Sequence, residues 1–430
     1  MLKRGVLLIP LALSISAIGF LFQILLVRRF GLGIEVDGYF YSLSWPIFVS
    51  GMLAASVNMR LTPEFRRMAI ADGRLMRIPL IELHRSVRRT MLFTSALAIP
   101  CVAFQYISAP SAMLASPSLA MRLNILSAWL MGILLVALSV CAAAITAQAR
   151  PLLANALSLS APVAGVVTLL FIQPTDISTI LISQCVGLAV ALTVAARAIR
   201  TNELPITDKV MAGITALDFS YSVLAGLSFT AYPVIDAFFS SHMPAGGLSS
   251  LALVQRLLIG LSGLALVVPM AHLGARCTDV YIGASAKQYY SYVRKIISAC
   301  FLVFALFSAV VYLLRHAIFD VIVALGRLSS TDYRLLDNLT IWMLVGMVAM
   351  MLGNILHRCI YATGGRHLFL AVVGLLWVGI YFTMTYLTLT GYDVVPVAVA
   401  YSVAWCICSV LMVWYLCMSR MIRHRKEAGA

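Results

Sequence analysis

The chain has 430 residues, 62% of them hydrophobic and only 11% charged, with a formal excess of 15 positive charges. Soluble domains carry roughly 45–50% apolar and about 25% charged residues, so a soluble globular protein is excluded and a polytopic all-α membrane protein is implied. The cations fall in short gaps between apolar runs and not on one soluble surface, which points to membrane topology and away from nucleic-acid binding.

Twelve spans are predicted, at 5–27, 38–59, 90–107, 123–147, 152–172, 177–196, 219–240, 248–275, 296–314, 339–356, 368–390 and 394–418. Each is near the roughly 20 residues that cross a bilayer. The first follows Lys3-Arg4, is longer than a signal-peptide core and ends in Arg28-Arg29, so it reads as a retained span. Arg28 and Arg29, with Glu35 and Asp37 close by, suit either interfacial anchors or an outer-gate ion-pair cluster. Pro46, in the middle of span two, removes a backbone donor and bends that helix. The loop 60–89, beginning at Arg60, is the most basic segment. Its part from Arg74 to Arg89 interleaves cations with Ile78, Leu80, Ile81 and Leu83, a pattern suited to an anionic headgroup layer, although an ordinary basic loop is the plainer reading.

Spans seven and eight are joined by the turn His242–Gly247 and carry Asp236 and Arg256, the two charged side chains placed well inside spans. A charge at bilayer depth costs about 2.5–3.5 kcal/mol on insertion scales, so it faces a protein interior or a watery cavity and takes a partner. Arg256 offers a planar fork that matches phosphate oxygens, which suits diphosphate binding; a structural ion pair with Asp236 is the blander account. Asp236 also suits a proton or sodium switch. Gln23, Gln148, Gln184 and Gln255 lie within or at the ends of spans, where each lines a cavity or bonds a neighbouring helix. The run Ile318–Leu325 is too short to cross and reads as a re-entrant or interfacial piece within 315–338.

With the N-terminus inside, the inner segments hold 24 Lys and Arg and the outer segments 6, which places both ends in the cytoplasm. A weak repeat joins Ile145–Arg150 to Tyr361–Arg366, Gly31 and Gly33 to Gly246-Gly247, and Pro63 to Pro269. Two halves of six spans with the same orientation follow, related by an axis along the membrane normal. The boundaries are an N-terminal lobe at 1–200, a cytoplasmic linker at 201–218, a C-terminal lobe at 219–418 and a basic tail at 419–430. The nine cysteines form no CxxC pair and read as small apolar residues. There is no GxSxG, HExxH or Walker loop, and the seven histidines stand apart, so no catalytic or metal constellation is visible and no enzyme is expected. Without an ATP site, energy would come from H+, Na+, the membrane potential or the substrate gradient.

Phe30-Gly31-Leu-Gly33, Asp37-Gly-Tyr-Phe40, Pro46 and Pro63 resemble the first two spans of the lipid II flippase family (MurJ, formerly MviN). Asp236-Ala-Phe-Phe, Pro244-Ala-Gly246, Gln255-Arg256-Leu, Gly260, Gly263 and Pro269 resemble its spans seven and eight, and Arg358–Gly364 its stretch after span ten. The resemblance covers most of the chain. It implies membership of the multidrug/oligosaccharidyl-lipid/polysaccharide (MOP) exporter superfamily, with two six-helix lobes around a V-shaped cavity. It departs from the family where cavity arginines of spans one and two are matched by Ser16, Phe22, Ser50 and Gly51, and in ending after twelve spans.

The resemblance therefore implies a flippase of the bacterial inner membrane. It would carry an undecaprenyl-diphosphate-linked glycan, such as a cell-wall, exopolysaccharide or capsule precursor, by alternating access. Arg256, Asp236, Gln255, Gln23, Ser16 and Ser50 are its candidate substrate residues, and Arg28, Arg29, Asp37, Pro46, Arg60 and Arg358 its gate or anchor residues. The expected partners are that lipid-linked glycan, membrane lipids and other cell-wall or polysaccharide assembly proteins, with no cofactor and no nucleic acid. Lipid II transport proper and cation-coupled drug export remain alternatives, as does a membrane enzyme of polysaccharide assembly, although the latter would need a larger outer loop than 315–338. A purely structural scaffold would not need Asp236 and Arg256 at depth.

Overall fold

The computed structural model describes residues 2–71, 78–110, 118–148, 150–174, 176–199, 201–202, 216–283, 286–325, 330–362, 367–389 and 393–428. Almost all of them are helical. In chain order the helices are α1 (Leu2–Phe30), α2 (Ile34–Ala71), α3 (Leu80–Ile107), α4 (Ser118–Ala147), α5 (Pro151–Leu157), α6 (Ser160–Val167) and α7 (Ile177–Ala198). There follow α8 (Ala216–Ala225), α9 (Leu227–Thr230), α10 (Tyr232–Phe239), α11 (Gly247–Gly283), α12 (Ala286–Leu325), α13 (Ser330–Ala362), α14 (His367–Thr388) and α15 (Val395–Ala428). Among the described residues, eight helices are long and apolar enough to cross a membrane. This is a multi-pass membrane protein, and among the described residues its regular structure outside the helices is one short parallel bridge pairing Ile78-Pro79 with Thr201-Asn202.

Contacts divide the chain into two compact units. The first is Ala17–Ser249 with Leu325–Arg327; the second is Met1–Ser16, Ser250–Ala324 and Leu328–Ala430. The border thus falls between Ser249 and Ser250, because α8, α9 and α10 pack on α2. Most of the expected linker 201–218 lies outside the described residues, as do Gly364 and Arg366 of the repeat. The tail continues α15 as helix to Ala428.

In the first unit, α2 runs closely along α4, with Pro46 at the contact. Gly132 of α4 lies against it: a Cβ there would come within 3.3 Å of both the Pro46 ring and its carbonyl. Proline leaves the carbonyl four residues back without its helical donor. That carbonyl belongs to Ser42, and Gln105 Nε2 of α3 donates to it at 3.1 Å and to the Tyr41 carbonyl at 2.7 Å. Gln105 Oε1 accepts from Trp129 Nε1 of α4 at 3.1 Å, and the Tyr41 hydroxyl donates to the Gln105 carbonyl at 2.7 Å. One fully buried amide thus joins three helices and repairs the proline break, as lipid-embedded backbone requires. Gln105→Leu should lower stability by about 2–4 kcal/mol, since it strips a partner from three buried polar groups, the Tyr41 and Ser42 carbonyls and Trp129 Nε1. A thermal unfolding midpoint in detergent equal to that of the parent would refute this account.

Span five is not one regular helix. It runs as α5, α6 and a π-helical turn, Thr168–Ile172, closed by Gln173 at a left-handed φ of 48°. It packs tightly on α7, where a Cβ on Gly187 would lie 2.6 Å from the Ser160 carbonyl oxygen. Span seven is likewise broken into α8, α9 and α10. Pro233 stands in the first turn of α10, where its missing N–H goes unfelt, and Gly226 separates α8 from α9.

In the second unit, α13 packs along α15. Ser402 of α15 donates to the Trp342 carbonyl at 2.7 Å and accepts from Gly346 N at 3.1 Å. A Cβ on Gly346 would meet Ser402 Oγ at 2.6 Å, so only glycine fits this crossing unchanged. Trp377 and Tyr381 of α14 and Tyr401 and Trp405 of α15 form a buried aromatic cluster with centroids 5.1–6.0 Å apart. The expected re-entrant piece is corrected here: Ile318–Leu325 continues α12, which is 40 residues long. Arg315 pairs with Asp337 of α13 at 2.8 Å, His316 bonds the Tyr333 hydroxyl at 2.7 Å, and Phe319 is buried against Tyr333. These contacts hold the last turns of α12 in helix beyond the length that hydropathy alone assigns.

The cysteines of the described residues are free thiols. Cys277 of α11 and Cys359 of α13 touch, with their Sγ atoms 3.9 Å apart, and the Tyr289 hydroxyl donates to the Cys359 carbonyl at 2.7 Å.

Candidate functional site

Within the second unit, α11 presents Arg256, Gly260 and Gly263 at spacings of four and three residues, which puts them on one helical face. Arg256 is half-buried. A Cβ on Gly260 or on Gly263 would meet nothing within 4 Å, so at these two positions the face has free space beside the backbone. Ser16 of α1 donates to the Gly260 carbonyl at 3.0 Å, bringing one hydroxyl to this face. Gln255 points elsewhere. It is buried with Leu258, Met343, Met347 and Tyr401 around a void of about 10 Å³, too small for a saccharide and about the size of one water.

Asp236 is buried on α10, in the first unit. Ser50 is buried and bonds back to the Ile47 carbonyl at 3.4 Å; Gln23 is buried, and its Oε1 has no hydrogen-bond partner among the described residues. Gln184 accepts from the Tyr39 hydroxyl at 3.3 Å, an interhelical bond between α7 and α2. The substrate candidates therefore do not form one cluster inside either unit.

The gate and anchor candidates resolve more sharply. Asp37 stands in the first turn of α2, is buried, and accepts from Gly246 N and Ser249 N at 2.7 Å each. It thereby caps the N-terminus of α11, where unpaired backbone N–H groups and the helix dipole favour an anion. The two turns that meet here are alike: Gly31 and Gly246 both take left-handed backbone, at φ 74° and 83°. This agrees with the repeat read between them. A side chain on Gly246 would also press on the Leu32 carbonyl, 3.0 Å from its Cβ. Arg29 does not pair with Asp37. Its Nε and Nη2 donate to the carbonyls of Pro174 and Gln173 at 3.0 and 2.9 Å, closing the end of the broken span five. The ion-pair cluster suggested for Arg28, Arg29, Glu35 and Asp37 is thus replaced by two separate side chain to backbone clamps. Arg28 and Arg358 are exposed, and the Arg60 side chain lies outside the described residues.

Sequence reasoning missed Gln105 and the backbone partners of Asp37. The only trace of the latter in the sequence is that Ser249 sits close to the repeat offset from Asp37.

The lipid II flippase MurJ, in an inward closed conformation, superposes with a TM-score of 0.72 at 13% identity, over 95% of this chain and 87% of that one. An inward-facing multidrug resistance MATE transporter of the MOP superfamily superposes with a TM-score of 0.70 at 13% identity, over 97% of this chain and 99% of that one. The chain has the MOP transporter fold. A MOP superfamily transporter from Pyrococcus furiosus, described as having a binding pocket of reversed polarity, gives a TM-score of 0.64 at 11% identity over 97% of this chain and 94% of that one. No protein-family model matches the sequence, and no curated protein matches it. The MOP fold agrees with the resemblance seen in the motifs.

Proposed function

We propose that this chain is a transporter of the bacterial inner membrane that flips a polyprenyl-diphosphate-linked saccharide by alternating access. The observation that carries the reading is the α11 face, on which Arg256 stands beside unfilled space over Gly260 and Gly263. A guanidinium bordering open space at membrane depth suits a diphosphate, because its planar fork binds phosphate oxygens in pairs. The glycines leave room for sugar rings next to it. The lipid tail would stay in the bilayer while the headgroup crosses. Both termini are assigned to the cytoplasm from the distribution of Lys and Arg. The absence of a catalytic triad or metal motif in the sequence favours transport over chemistry.

Lipid II itself is the nearest alternative cargo, favoured by the likeness to MurJ. Cation-coupled drug export is a second, favoured by the likeness to a MATE transporter and by the buried Asp236. Deletion of the chain from its host is expected to cause an undecaprenyl-linked oligosaccharide to accumulate on the cytoplasmic side, detected in lipid extracts by mass spectrometry. Rescue of a strain depleted of its lipid II flippase would assign lipid II as cargo. A deletion strain with unaltered lipid-linked precursors but raised drug sensitivity would overturn the flippase reading.

A further inference from the structure

The first turns of α3 carry a second feature that the transport reading does not use. Ile81, His84, Arg85, Arg88, Arg89 and Leu92 border a groove of about 650 Å³. Glu82 takes up Arg85 at 2.9 Å, whereas Arg88 and Arg89 have no carboxylate partner among the described residues. Below the cations the helix turns wholly apolar on the same face. At helical spacing, Ile81, Arg85, Arg88, Leu92, Ala96, Ile99 and Ala103 form one continuous exposed stripe, with Leu92 60% and Ile99 74% exposed. From Arg88 to Ala103 the stripe runs about 22 Å, which exceeds the half-thickness of a hydrocarbon core, about 15 Å.

We propose that this stripe is a binding site for an anionic glycerophospholipid. Its phosphate would sit in the groove between Arg88 and Arg89, and its acyl chain would run along Leu92, Ala96 and Ile99. Two properties fit that occupant and not a soluble anion. The cations border an apolar surface, so a ligand must be charged at one end and greasy along its length. The long arginine stems reach a headgroup layer while their heads stay wet. A zwitterionic lipid would meet the same apolar stripe but gain little from the arginines.

The test is native mass spectrometry of the purified full-length protein with equimolar phosphatidylglycerol and phosphatidylcholine, for the parent, Arg88→Gln/Arg89→Gln and Arg197→Gln. Arg197 is an exposed cation in the last turn of α7 and controls for general surface charge. The parent is expected to retain phosphatidylglycerol preferentially. Each cation removed from the groove should lower that preference about fivefold, while Arg197→Gln leaves it unchanged. Because Arg88 and Arg89 are exposed, the double variant is expected to fold and melt as the parent does. Equal retention of both lipids by the parent would overturn the proposal. So would an equal loss in the Arg197 variant, or displacement of phosphatidylglycerol by a polyprenyl diphosphate at equimolar concentration. The last outcome would assign the groove to the cargo and leave the transport reading intact.

Discussion

Replacing Arg256 by Ala is expected to reduce headgroup translocation about 10- to 100-fold, the equivalent of the roughly 1.5–3 kcal/mol carried by hydrogen bonds to a charged group. The loss should appear in vivo as accumulation of the lipid-linked precursor at unchanged protein level. Arg256→Lys should recover only part of the activity, because an ammonium keeps the charge but lacks the planar fork. The measurement must separate recognition from folding. Arg256 is half-buried and interacts with the surrounding protein, so a structural role would show as lower abundance and an earlier thermal transition. Normal transport by a well-expressed Arg256→Ala protein would remove this residue from the mechanism. A second variant gives independent access to the same face: Gly260→Leu needs no change in packing at Cβ, since nothing lies within 4 Å, yet it fills the space beside the guanidinium. It should impair transport with little effect on stability.

Asp37→Ala is expected to have the largest effect on stability outside the packed helix crossings, about 2–4 kcal/mol. It removes two 2.7 Å charge-assisted bonds from buried backbone N–H groups at the head of α11 and leaves both without that acceptor. Asp37→Asn keeps the shape and one carbonyl oxygen, so an intermediate loss is expected. The effect should be local to the Gly31 and Gly246 turns. Ser249 is fully buried, and a Ser249→Cys side chain in a background cleared of other cysteines should resist maleimide while Asp37 is present. Adding Asp37→Ala should speed its labelling. We propose that this clamp is a gate element: if the chain works by alternating access, its bonds would be made in one state and broken in another. Unchanged melting and unchanged labelling would both contradict that role.

The interruptions in spans five and seven bear on which parts of the molecule can move. At Gln173 the chain takes a left-handed turn after a π-helical segment, and Arg29 ties two of the carbonyls there to the end of α1. Around Pro46, by contrast, the break in α2 is tied fully into its neighbours by Gln105. The break at Pro46 is thus satisfied by its neighbours, which favours a fixed kink over a moving gate as the proposal for this residue.

Much of this architecture was legible before any coordinates, because the bilayer constrains a sequence harshly. A span must be about 20 apolar residues long, and a charge inside it is costly enough to mark itself. Those two facts were sufficient to divide the chain into apolar helices and to single out Asp236 and Arg256. The glycine pairs at 31–33 and 246–247 marked turns, and two of them proved to need left-handed backbone. What the sequence could not express was who answers whom. Asp37 meets N–H groups 209 and 212 residues away, and backbone donors leave no letter in the sequence. Gln105 looked like any polar residue in a span, since its purpose depends on a carbonyl freed by a proline on a neighbouring helix. The stretch Ile318–Leu325 was misread because hydropathy measures fitness for lipid, whereas its helix is continued by Arg315, His316 and Phe319 docking on α13. Composition and spacing determine which segments enter the membrane, because transfer from water is a property of each residue alone. Which breaks are healed, which termini are capped and which face stays open are decided only by tertiary structure, because each depends on a partner brought near by the fold.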